Sequence, residues 1–108
     1  MSSYPSMAGL PKMHPGEFLD EITLPALKAE HGVTKAAFAS YLGMTRAALD
    51  NVLKGRSAVT PTTAVRLAQM VGATPEFWLG LQADYDLEKA REELAPELSS
   101  MPRFVDAA

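Results

Sequence analysis

Between residues 14 and 95, apolar positions recur at the spacing of amphipathic helices, and no window alternates as a strand would. A first helix is predicted to begin at Pro15, where a missing N–H costs nothing. Phe18 and Ile22 stand one turn apart in it as core positions, and Pro25 is expected to end or kink it near Leu24. Residues 25–30 then add a turn or two before Gly32. Two short helices follow over 34–42 and 46–54. Phe38, Ala39 and Leu42 share one face of the first, and Leu49, Val52 and Leu53 share one face of the second. Ala64, Leu67, Ala68 and Val71 repeat the i, i+3, i+4, i+7 stripe in a fourth. A fifth carries Phe77, Trp78, Leu81 and Tyr85 and is expected to run to Leu94, before Pro96. Thr34, Thr45, Thr60 and Thr74 stand at the four later starts, where a hydroxyl can accept from a free backbone N–H. The pattern predicts an all-α domain of five helices over 14–95, between flexible segments at 1–13 and 96–108.

The stretch from Thr34 to Gly55 organises the rest. Its two helices surround a tight Gly43-Met44-Thr45 turn, and Gly55 can take the left-handed conformation that ends a helix. Polar and basic residues lie opposite the apolar faces, which is the layout of a helix-turn-helix whose second helix enters the DNA major groove. Thr45, Arg46, Ala47, Asp50 and Asn51 occupy the start and outward face of that second helix. Arginine can pair with guanine, asparagine with adenine, and Ala47 can touch a thymine methyl. Lys35, Lys54 and Arg56 are placed for phosphates. Two capped helices around a glycine also occur in domains that never meet DNA, and there these would be ordinary solvated charges. The grouping of the polar residues on one face favours DNA.

A net charge of −3 argues at first against a nucleic-acid partner, but its distribution points the other way. Residues 1–30 sum to −2, residues 31–60 to +3 and residues 61–108 to −4. Exposed charges more than about 8 Å apart are largely screened at cellular salt, so the local excess decides what docks there. Three phosphate-seeking cations per protomer predict about six contacts per dimer and a log-log salt slope near −5.

Other chemistries find little support. The chain has no cysteine and two histidines, His14 and His31, neither in a nucleophile motif, so no catalytic or metal site is expected. Asp84-Tyr85-Asp86 lacks the loop glycine and terminal glutamate of a calcium loop. No phosphate-binding glycine loop is present, and no cofactor is expected. No apolar run approaches the roughly 18 residues of a membrane span, which predicts a soluble, cytoplasmic protein. Phe77, Trp78, Leu81 and Tyr85 can be read as an aromatic lid over the core. They can also be read as a partner patch, attractive because helix-turn-helix modules usually work as symmetric dimers.

His14-Pro15-Gly16-Glu17, Leu42-Gly43-Met44-Thr45, Thr60-Pro61, the run Thr74-Pro75-Glu76-Phe77-Trp78-Leu79-Gly80-Leu81-Gln82, and Tyr85-Asp86-Leu87 together resemble the HigA-type antitoxins. These belong to the phage-repressor-like (Cro/C1, lambda-repressor or Xre) helix-turn-helix group. The resemblance covers residues 14–94. It implies a homodimer that represses its own operon by binding double-stranded operator DNA. It also implies neutralisation of a HigB-like toxin, a ribosome-dependent messenger-RNA endonuclease, with the toxin often acting as co-repressor. By the same resemblance the toxin would meet the N-terminal helix, where Glu17, Asp20 and Glu21 supply the acidity a basic nuclease prefers. The alternatives are a stand-alone Xre-family repressor without a toxin, and a protein-interaction module that no longer binds DNA.

Overall fold

A computed structural model describes residues 12–105, so the expectation for residues 1–11 and 106–108 lies outside the described part. Five helices and no strand make up that part. Helix α1 spans residues 15–31 in three continuous pieces: an α turn Pro15–Phe18, a π turn Leu19–Thr23 and an α segment Leu24–His31. It is followed by α2 (Lys35–Tyr41), α3 (Arg46–Leu53), α4 (Pro61–Val71) and α5 (Pro75–Ser100).

The π turn is the form that the disturbance expected near Leu24 takes. The Leu24 N–H reaches the Leu19 carbonyl, five residues back, just ahead of Pro25. This wider turn relieves the conflict between a proline ring and the carbonyl of the preceding turn, so the helix is disturbed just ahead of Pro25 and still runs on to His31, where Gly32 closes it as expected. The extra residue also shifts the phase of the buried face. Leu19 and Leu24, five apart, are buried, whereas Ile22 is 49% exposed and is not the core residue its spacing from Phe18 predicts.

All four threonine caps form. Thr34, Thr45, Thr60 and Thr74 accept from the N–H groups of Ala37, Ala48, Thr63 and Phe77 at 3.1, 3.0, 3.3 and 3.1 Å. The core joins every helix: Leu19 and Leu24 of α1, Phe38 and Ala39 of α2, Leu49, Val52 and Leu53 of α3, Ala64 and Leu67 of α4, and Trp78 of α5. Leu42 and Val59, in the turns after α2 and α3, complete it.

Helix α5 passes through Pro96 and ends at Ser100, not before the proline as expected. Residues 91–100 are all exposed, so the carbonyl that Pro96 leaves without a donor can be met by water. The Ser99 and Ser100 hydroxyls donate to the carbonyls of Pro96 and Glu97 and close the last turn. The segment 96–100 is therefore helix rather than tail.

At the other end, the Pro15-Gly16 step is buried against the end of α3, and a methyl added at Gly16 would run into the Val52 carbonyl. Gly16→Ala is expected to lower stability by about 1–3 kcal/mol, because the obstacle is backbone and cannot rotate away. Urea unfolding would read this as a lower midpoint at unchanged slope.

Candidate nucleic-acid interface

Helix α3 turns one face inward through Leu49, Val52 and Leu53 and leaves Arg46, Ala47 and Asn51 exposed on the other. Thr45 is exposed at its cap, and Lys54 and Arg56 are exposed just past its end. Asp50 is half-buried, at the border of the outward face. Thr45 itself is engaged as the cap, its hydroxyl accepting from Ala48.

The turn that sets α3 against α2 is held from outside the motif. Gly43 has φ +68°, and Arg66 on α4 donates from Nη1 to the Leu42 carbonyl at 2.8 Å. A Cβ at Gly43 would stand 2.6 Å from the same Nη1, so the guanidinium occupies the space that only glycine leaves open. The loop after α3 is tied down in a similar way. Val59 N–H donates to Gln82 Oε1 at 2.9 Å, while Gln82 Nε2 donates to Asp86 at 3.0 Å. Neither Arg66 nor Gln82 follows from periodicity, since each acts on backbone more than twenty residues away.

Lys35, exposed at the start of α2, lies 3.8 Å from Asp20. Asp20 also shares a cleft with Glu17, Glu21, Lys54 and Tyr85. The acidic residues of α1 therefore adjoin the cations of the helix-turn-helix instead of forming a separate surface.

The aromatic residues of α5 are split by the fold. Trp78 is 1% exposed, and Phe18 and Phe77 meet it edge-on with ring centroids 5.6 and 5.0 Å away. This corrects the reading of Trp78 as a partner residue, because its ring is enclosed within the protomer. Tyr85 packs edge-on against His14 at 5.0 Å and is half-buried. Leu81 is half-buried against the core, and Phe77 remains 40% exposed.

His14 locks α1 to the end of α3. Its Nδ1 accepts from Gly16 N–H at 2.9 Å, and its ring lies against Gly55, which has φ +75°. Burial lowers its pKa from the usual 6.5, against the opposing pull of Asp86 and Glu17. Only the neutral ring can accept at Nδ1, so the unfolded chain binds more protons than the folded one between the lowered folded value and 6.5. The contribution is present above about pH 6.5 and is lost as pH falls through the lower folded value. Thermal midpoints should therefore drop between pH 7.5 and 5.5, and His14→Asn, which keeps a capping oxygen, should flatten that part of the profile.

A capped scaffold helix, a left-handed glycine turn and an exposed second helix define a helix-turn-helix domain. The model of the helix-turn-helix domain family matches residues 22–76. The chain is 36% identical over 75 residues to antitoxin HigA-1 of Vibrio cholerae, covering 68% of this chain and 70% of that one. It is 30% identical over 98 residues to virulence-associated protein I of Dichelobacter nodosus, covering 91% and 87%. Among solved structures, antitoxin GraA in complex with its operator superposes with a TM-score of 0.74 at 35% identity, over 95% of this chain and all of that one. The chain belongs to the HigA-type antitoxins of the helix-turn-helix family.

Proposed function

We propose that the protein binds operator DNA as a homodimer, represses its own operon and neutralises a HigB-like toxin. The observation that carries the DNA half is the exposed face of α3, with Arg46, Ala47 and Asn51 outward and Lys35, Lys54 and Arg56 around it. The similarity to an antitoxin bound to its operator supports the same reading. Arg46 and Asn51 are assigned to base edges, and Lys35, Lys54 and Arg56 to phosphates that fix register. Asp50, on the border of the face, can accept from cytosine N4. Two copies are assigned to two half-sites one helical turn apart, with Phe77, Leu81 and Tyr85 as the remaining α5 candidates for the dimer contact.

The toxin half rests on the acidic residues Glu17, Asp20 and Glu21, which suit a basic partner. Because these adjoin Lys35 and Lys54, a toxin seated on them lies beside the DNA backbone. The test is a pair of measurements on the full chain. Fluorescence anisotropy with a duplex from its own promoter should give tighter binding than with a scrambled duplex. Where the adjacent gene encodes a short basic protein, co-expression should restore growth to cells that this neighbour arrests. Binding without rescue would leave a stand-alone repressor, and rescue without binding an interaction module.

A further inference from the structure

A cleft of about 520 Å3 opens where α1, α2 and α3 meet, lined by Asp20, Lys28, Thr34, Lys35 and Arg46, with Leu24 among its apolar walls. Three cations, one from each helix, thus face a single carboxylate. Lys28 is an exposed residue of α1, outside the helix-turn-helix, and no spacing argument points to it. The carboxylate is not idle: Asp20 Oδ1 lies 3.8 Å from Lys35 Nζ, with both side chains partly exposed. Among the described residues, Lys28 and Arg46 have no carboxylate at ion-pair distance. The cleft is therefore under-neutralised, and it sits at the start of the helix assigned to the major groove, where the bordering backbone runs.

We propose that this cleft seats a DNA backbone phosphate, with Lys28 as a contact supplied from outside the helix-turn-helix and Asp20 as a built-in counter-charge. The proposal rests on the DNA-binding reading above. An exposed pair such as Asp20–Lys35 holds its partners weakly in water, so a phosphate competes for Lys35. Asp20 then lowers affinity for all DNA alike and leaves discrimination to the bases met by α3. Placing this control on α1 limits non-specific retention without altering a reading residue.

The two residues give opposite signs in one experiment. The full-length wild type, Lys28→Ala and Asp20→Asn are titrated with a promoter duplex and a scrambled duplex over a range of salt. Lys28→Ala is expected to weaken both duplexes alike, by on the order of 10-fold near physiological salt, and to reduce the salt slope by about 2 per dimer. Asp20→Asn is expected to tighten both duplexes and leave their ratio unchanged. Both positions are exposed, so thermal melting should show both variants folded. Unchanged affinity and slope in Lys28→Ala, while the wild type binds normally, would overturn the cleft assignment alone. A loss confined to the promoter duplex would overturn it too, since a phosphate contact carries no sequence information. Failure of the wild type to bind either duplex would overturn the DNA-binding reading itself.

Discussion

Replacing Arg46 and Asn51 together by alanine should reduce affinity for the promoter duplex to that for a scrambled one. Each bidentate contact discriminates by about 1–3 kcal/mol, and the proposed dimer would lose two of each, so a fall of at least about 1000-fold is expected. Stability should barely change. Both side chains are exposed on α3, the helix keeps its Thr45 cap, and alanine is the strongest helix former. The residual binding should retain most of its salt dependence, because Lys28, Lys35, Lys54 and Arg56 are untouched. Affinity equal to wild type would remove α3 as the reading element. On the proposed function, Ala47 and Ala48 make α3 a sparse reader, so few contacts would carry the discrimination and their loss would be felt strongly.

Trp78→Ala should cost about 3–5 kcal/mol of stability, a large share of the roughly 5–15 kcal/mol that holds a small domain together. Trp78 is enclosed with Phe18 and Phe77, in edge-to-face contacts that add to its burial. Its indole N–H has no acceptor among the described residues, so it acts through volume and ring contacts, not through a hydrogen bond. Urea unfolding should show the lower midpoint, and sedimentation of the remaining folded fraction should show the same assembly as wild type. A variant as stable as wild type but monomeric would return Trp78 to the interface. Phe77→Ser offers the contrast, since at 40% exposure that residue can lose a partner contact at a smaller cost to the fold.

Features encoded locally were the ones legible in the sequence. A threonine three residues ahead of the N–H it caps needs no information from elsewhere, and all four such starts occur as read. The polar face of α3 follows as directly from helical spacing. Features set by distant parts of the chain were not legible. The π turn reconciles Pro25 with a core that wants both Leu19 and Leu24, and a uniform helical period cannot show it. The hydrophobicity of Trp78 says that it is covered, but not whether by its own chain or by a partner. Pro96 is a helix breaker by composition, yet in an exposed segment its missing donor matters less. The cleft at Lys28 exists only because three helices converge, and Arg66 serves the Gly43 turn from another helix.

The His14-Pro15-Gly16-Glu17 start gains a physical meaning from these contacts. His14 caps α1 and packs on Gly55 and Tyr85, while Gly16 lets the first turn lie against the Val52 carbonyl. The first turn of the domain thereby braces the end of α3 from behind. Loss of either residue is expected to affect DNA affinity through the pose of α3, without any contact of their own to DNA.

On the proposed function, an acidic protein docks DNA through a local basic face. The most direct test is the salt dependence of affinity of the unmodified full chain for a duplex from its own promoter. Three cations per protomer give a log-log slope of about −5, and the Lys28 cleft raises it to about −7. A slope near zero would show that the basic face does not dock DNA, and binding no tighter than to an unrelated duplex at every salt concentration would show that α3 reads no sequence.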